Sequence, residues 1–206
     1  MPHLEYEKQH GHFEGKVVCG VDEVGRGPLA GPVMAAAVIL PREIPKVIAS
    51  QIHDSKKISA KQREALFPLL TELCRYSIAE ASVEEITELN ILHASLLAMR
   101  RAVEGLNSKI DMALIDGNRL PKLVCKAVAI VGGDNISLSI AAASIIAKVT
   151  RDRLMAKLAT EHPGYGWERN AGYGTPEHLE ALKRLGTTHW HRGSFAPISQ
   201  LQLLTG

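Results

Sequence analysis

The chain has 206 residues, of which 46% are hydrophobic and 22% charged, and a net charge of +2. That fits one globular domain burying roughly 70% of the surface its unfolded form exposes. Three cysteines outside any C-x-x-C pair argue against a disulfide framework or structural zinc site, and a polar start with no apolar run of ~18 residues argues against a signal peptide or membrane span, so a soluble cytoplasmic protein is expected.

In chain order, residues 16–24 ("KVVCGVDEV") read as a buried strand. Residues 30–40 ("AGPVMAAAVIL") read as a second strand, joined to the first by a glycine loop too short for a parallel crossover, which implies a hairpin. "SKKISAKQREALFPLLTEL" has helical periodicity with Ser55 or Ser59 as cap, and residues 74–82 form a third strand. Ser82 and Glu85 have capping-box spacing for a short helix, followed by an amphipathic helix over 90–106. Strands over 111–116 and 126–134 then precede the longest helix, 137–162. A last helix spans 175–186, with Thr175 as cap, Pro176 at its first position and Gly186 beyond its end. The order predicts an α/β fold with a mixed sheet, antiparallel early and parallel late. The divisions expected are a leader (1–15), a catalytic domain (16–160), a helical and loop-rich appendage of it (161–197) and a tail (198–206).

Three of these strands end in carboxylates: Asp22-Glu23, Asp116 and Asp134. Sites in open α/β sheets form outside the carboxyl ends of strands, so these acids can converge. Converging like charges need a cation, and an all-oxygen donor set suits Mg²⁺ or Mn²⁺ better than zinc. A lone Asp beside a glycine turn is more often a turn residue, which leaves Asp116 and Asp134 open on local grounds. Asp22-Glu23 is the stronger pair, because adjacent strand residues face opposite ways unless the strand stops. Gly25-Arg26-Gly27 follows at once, an arginine in a glycine loop that can approach a phosphate. Basic clusters recur, and Lys148 and Arg151 share one helical face. Such clusters beside acids suit a phosphodiester backbone.

The motifs "GVDEVGRGPLAGPV", "DSKK", "LNILHASLLAMRRAV", "LIDGNRLP", "GGDNISLSIAAASIIAKVTRDRLM", "HPGYGWERNAGYGTPEHLEAL" and "HRGSFAP" resemble bacterial ribonuclease HII from about Lys16 to Pro197. The resemblance implies a ribonuclease H-like mixed five-stranded sheet flanked by helices, with a small helical C-terminal appendage. It implies an endoribonuclease, dependent on two Mn²⁺ or Mg²⁺ ions, that cuts the RNA strand of RNA·DNA hybrids. It also implies incision 5′ of single ribonucleotides in duplex DNA, leaving a 3′-OH and a 5′-phosphate, in DNA replication and repair. The family's four carboxylates map onto Asp22, Glu23, Asp116 and Asp134. Gly132-Gly133-Asp134 departs from the family's K-G-D or K-A-D, and Asp152 is the other candidate. The 2′-hydroxyl reader maps onto Gly25, Arg26 and Gly27, and the tyrosine beside the junction onto Tyr173. Lys56, Lys148 and Arg151 are the expected phosphate contacts.

Gln200-Leu201-Gln202-Leu203-Leu204 resembles the short peptides that dock on the bacterial sliding clamp. His189 and His191 are expected to be loop residues without a metal role, since no third ligand lies near. Two other readings are a DNA junction nuclease of the same fold and a non-catalytic, clamp-associated nucleic-acid binder. The four acids speak against the second, because a pure binder has no use for carboxylates facing phosphates.

Overall fold

The computed structural model describes the backbone of residues 1–205 and the side chains of residues 1–201. A short helix α1 (Glu5–Gln9) and one 3₁₀ turn precede β1 (Val18–Val24), which turns back into β2 (Val33–Ile39). Helices α2 (Lys46–Ala49) and α3 (Ala60–Leu73) lead to β3 (Arg75–Ala81). Helix α4 (Val83–Gly105), β4 (Met112–Asp116) and β5 (Lys126–Ile130) follow, then the long helix α5 (Leu138–Glu161). Helices α6 (Trp167–Asn170), α7 (Pro176–Leu185) and α8 (Ala196–Thr205) complete the chain. The sheet has five strands in the order β3-β2-β1-β4-β5. β1–β2 and β2–β3 are antiparallel, and β1–β4 and β4–β5 parallel, the early-antiparallel, late-parallel sheet expected from the order of elements.

The alanine-rich β2 is buried on both faces, which explains its continuous apolar run. Ala35 and Ala37 face α4 with Val21 of β1, whereas Ala36 and Val38 face α3 and α5. Gly20 of β1 fixes how close α5 comes. A Cβ there would meet Ile140 N and Ser139 C at 2.3 Å each, so only glycine admits the helix. A third apolar cluster, with Trp167 and Tyr165 at its centre, ties α6 and α7 to the far end of α5.

Local signals explain the helix starts. Ser59 and Ser82 each form a capping box, with Gln62 and Glu85, and Thr175 caps α7 with Pro176 next to it. The two helices expected over 82–106 run together as α4 but stay distinct at Asn90, whose φ of 66° breaks the helix. The Asn90 side chain caps the second segment through the amides of Leu92 and His93. The strand expected over 126–134 stops at Ile130, because Gly132 at φ 65° turns the chain into a 3₁₀ turn over Gly133–Asn135. Among the described residues no helix is long and apolar enough to cross a membrane.

Candidate active site

Gly20 and Asp22 share the face of β1 that meets α5. The close helix approach at Gly20 therefore brings Ser144 to Asp22, and Ser144 in turn lies 2.8 Å from the Ser55 hydroxyl. Asp22 is buried, and its Oδ1 accepts the Glu23 amide at 2.7 Å. Burial pushes the Asp22 carboxyl well up, Glu23, Asp116 and Asp134 push it further, and Ser144 offsets part of the rise. Glu23 is also raised, mainly by burial and against the pull of Arg26, which pairs with it at 3.5 Å.

Asp116 ends β4, directly beside β1 in the sheet. Its Oδ1 accepts the Gly133 amide at 2.7 Å, which pins the turn after β5 against the end of β4. That turn carries Asp134, whose carboxyl is raised by burial and by Asp116 and Asp54, with Lys56 acting the other way. Asn135 donates to Asp134 at 2.8 Å and is itself held by Lys57. Burial works against the charge of Lys56, but Asp22, Asp134, Asp54 and Asp116 together outweigh it and raise its pKa. The four acids expected from the sequence thus act on one another, and Lys56 faces them. Asp152 instead pairs with Lys148 at 2.6 Å and Arg63 at 3.8 Å.

A fifth carboxylate, Asp54, went unread in the sequence. It is buried, and its Oδ1 accepts the Lys56 amide at 2.9 Å, an Asx turn that aims Lys56 at the acids. The D-x-K spacing in "DSKK" was the available signal. Among the described residues no group of three or more carboxylate, histidine or cysteine side chains makes a ready metal cage. The acids form an electrostatic cluster with surplus negative charge and an all-oxygen donor set, which fits hard divalent cations.

The loop after β1 is held from behind. Arg151, expected on a phosphate, is instead wholly buried. It donates to the carbonyls of Pro32 (3.1 Å), Ala171 (2.9 Å) and Ala30 (3.0 Å), and burial lowers its pKa to about 10. The helical spacing placed Arg151 beside Lys148 but could not show that this part of α5 packs under the loop. Gly25, at φ 93°, lies so close that a Cβ would meet Arg151 Nε at 2.2 Å. Tyr173 is 42% exposed, and its ring rests beside Gly27. Lys148 lines a groove of about 390 Å³ with Arg63, Asp152 and Arg153. His189 is a loop residue as expected, but His191 is buried, on Tyr165 and Trp167.

This sheet order and mixed strand sense belong to the ribonuclease H-like class. The ribonuclease H2 of Pyrococcus horikoshii superposes with a TM-score of 0.75 at 26% identity, over 91% of this chain and 97% of that one. A ribonuclease HII of Archaeoglobus fulgidus, solved as a complex with PCNA, superposes at 0.72 and 26% identity, over 87% and 95%. Within that class the assignment narrows, for the Ribonuclease HII family model matches residues 19–198. The curated Ribonuclease HII of Paramagnetospirillum magneticum is 58% identical over 205 residues, 98% of this chain and 100% of that protein. The chain belongs to the ribonuclease HII family and is a ribonuclease H, an endonuclease that hydrolyses phosphodiester bonds.

Proposed function

We propose that the protein cuts the RNA strand of RNA·DNA hybrids and incises duplex DNA on the 5′ side of a single embedded ribonucleotide, leaving a 3′-OH and a 5′-phosphate. The observation that carries this reading is the mutual coupling of Asp22, Glu23, Asp116 and Asp134 immediately beside the Gly25-Arg26-Gly27 loop. Two Mg²⁺ or Mn²⁺ ions held by these four carboxylates would supply the charge that activates water and stabilises the leaving 3′-oxygen. Asp22 and Asp134 are ligands whose raised carboxyls mark a site short of positive charge. Lys56, raised by the same acids, keeps its proton and meets the incoming phosphodiester. Backbone groups of residues 25–27 meet the 2′-hydroxyl, the atom that separates RNA from DNA. Tyr173 packs on the neighbouring sugar from the other side of Gly27, and Lys148 contacts phosphate farther out.

Removal of ribonucleotides during DNA replication and repair, in the cytoplasm, is the role this activity serves. Docking on a sliding clamp through Gln200-Leu204 draws support from the complex of the Archaeoglobus fulgidus relative with PCNA. The side chains of Gln202, Leu203 and Leu204 lie outside the described residues. The deciding experiment offers two duplexes, one with a single ribonucleotide and one all-DNA, in Mg²⁺ and in Mn²⁺. The expected product is a single cut 5′ of the ribonucleotide with a 3′-OH end, and none in the control. Equal cleavage of both duplexes would favour the junction-nuclease reading and overturn this one.

A further inference from the structure

Residues 191 and 192 take no part in the chemistry above, yet they touch both elements proposed to read the ribonucleotide. Ala30 pairs with His191 in an antiparallel bridge, closed by Gly31 N–H to Trp190 O (2.9 Å) and Arg192 N–H to Leu29 O (2.8 Å). Leu29 N–H continues to Gly172 O at 2.8 Å, next to Tyr173. Arg192 is wholly buried, and among the described residues no carboxylate pairs with it. Its guanidinium donates to the carbonyls of Gly25 (2.6 Å), Arg26 (3.0 Å) and Gly31 (2.8 Å). Hydrogen bonds from a buried charge to carbonyls are among the stronger ones in a protein. The Arg26–Glu23 pair, at 3.5 Å and half-exposed on its arginine side, is screened by solvent and holds the loop far less firmly. The shape of the 25–27 loop is therefore set from within by Arg192, not at the surface by Arg26.

His191 works on Tyr173 through a relay whose protons have one arrangement. The Thr188 amide can only donate, and it meets His191 Nδ1 at 2.8 Å, so that nitrogen carries no proton. In the neutral ring the proton is on Nε2, which donates to His178 Nε2 at 3.1 Å. His178 Nε2 also accepts the Trp167 indole N–H at 3.1 Å, so the His178 proton is on Nδ1. Nδ1 donates to the Tyr173 carbonyl at 2.9 Å. Each link fixes the next, from Thr188 to the backbone of Tyr173.

We infer that His191 and Arg192 form a strut of positioning residues for ribonucleotide recognition. Arg192 holds the carbonyls of Gly25 and Arg26, His191 holds Tyr173 through His178, and their adjacency fixes the distance between the two. This rests on the proposed reading that loop 25–27 meets the 2′-hydroxyl and Tyr173 packs on the neighbouring sugar. The strut sets the preference for a ribonucleotide and leaves the acids alone.

The test uses the full chain and two duplexes, with and without one ribonucleotide. Arg192→Lys keeps the charge but cannot reach three carbonyls together. The ratio of its Kd values for the two duplexes is expected to fall about tenfold, the loss of one charged hydrogen bond, while Mn²⁺ binding measured by calorimetry stays unchanged. His178→Ala removes the donor to Tyr173 and is expected to raise KM with kcat little changed. His178→Asn restores a donor at that position and should recover the KM. In the wild-type protein, ¹⁵N NMR should place the His178 proton on Nδ1 and the His191 proton on Nε2, a readout independent of any variant's folding. Opposite tautomers, or an undiminished preference in a folded Arg192→Lys or His178→Ala protein, overturn the strut alone. A wild-type protein with no preference overturns the functional reading and the strut with it.

Discussion

Acidification should act on the buried histidine pair, and His191 allows the size of the effect to be worked out. It is 5% exposed, and burial, reinforced by His178, lowers its pKa from 6.5 to about 4. The unfolded chain takes up a proton as pH falls through 6.5, while the folded chain refuses it until about 4. Between those values the unfolded state binds more protons, so stability falls as pH falls. At ~1.4 kcal/mol per pKa unit, the loss between pH 7 and pH 4.5 is about 2 kcal/mol, a large part of a total of about 5–15 kcal/mol. The raised carboxylates of the acid cluster act in the opposite direction on acidification, so the measurement must isolate the imidazole. Urea unfolding of the wild-type protein and of His191→Gln at both pH values does this, because the acids are common to both. The variant is expected to be less stable at pH 7 and to lose about 2 kcal/mol less on acidification. An identical pH loss in both proteins would refute the argument that His191 is held neutral.

Two further outcomes follow from the site and the fold. Asp22→Asn keeps the acceptor for the Glu23 amide but removes a carboxyl whose folded pKa is raised. A raised carboxyl contributes stability at low pH that is lost as pH rises through its folded pKa, so the variant should melt higher than wild type at pH 7 without divalent ions and cleave nothing. Saturating Mn²⁺ should stabilise wild type by about 2.7 kcal/mol at 100 times its Kd and the variant far less; a variant with full activity in Mg²⁺ would remove Asp22 from the site. Gly20→Ala sets a Cβ 2.3 Å from the α5 backbone and should cost about 1–3 kcal/mol in urea unfolding, with cleavage reduced because Ser144 and Asp22 separate.

The sheet was legible because its strands carry their own punctuation. The glycine loop after Glu23 demanded a hairpin, and the later alternation of strands and helices pointed to a parallel half, although the nine-residue link between β4 and β5 holds no crossover helix. Asp22, Glu23 and Asp116 were legible at strand ends, while Asp134, expected at a strand end, lies in the turn beyond β5; local sequence left Asp116 and Asp134 open as turn residues. What separates Asp134 from Asp152 is tertiary. The Gly133 amide on Asp116 draws Asp134 in, whereas Lys148 and Arg63 occupy Asp152. Arg151 was misread for a related reason, since helical spacing gives a face but not its neighbour. Only the packed structure shows α5 running beneath the 25–32 loop, where three carbonyls take up the guanidinium. Asp54 escaped because one acid before a serine and two lysines has no periodicity to announce it.

The bridge between Ala30 and His191 also bears on how the protein is made. It joins the chain's first strands to a segment that leaves the ribosome long after them. Arg192 and Gly31 are 161 positions apart, and closing a loop of that length costs roughly 4–5 kcal/mol of chain entropy. β1 can pair with β2 and β4 well before residue 191 exists. A growing chain can therefore gather Asp22, Glu23 and Asp116 while the neighbouring loop still lacks Arg192, and the carbonyls of Gly25 and Arg26 are held only once that later segment has emerged.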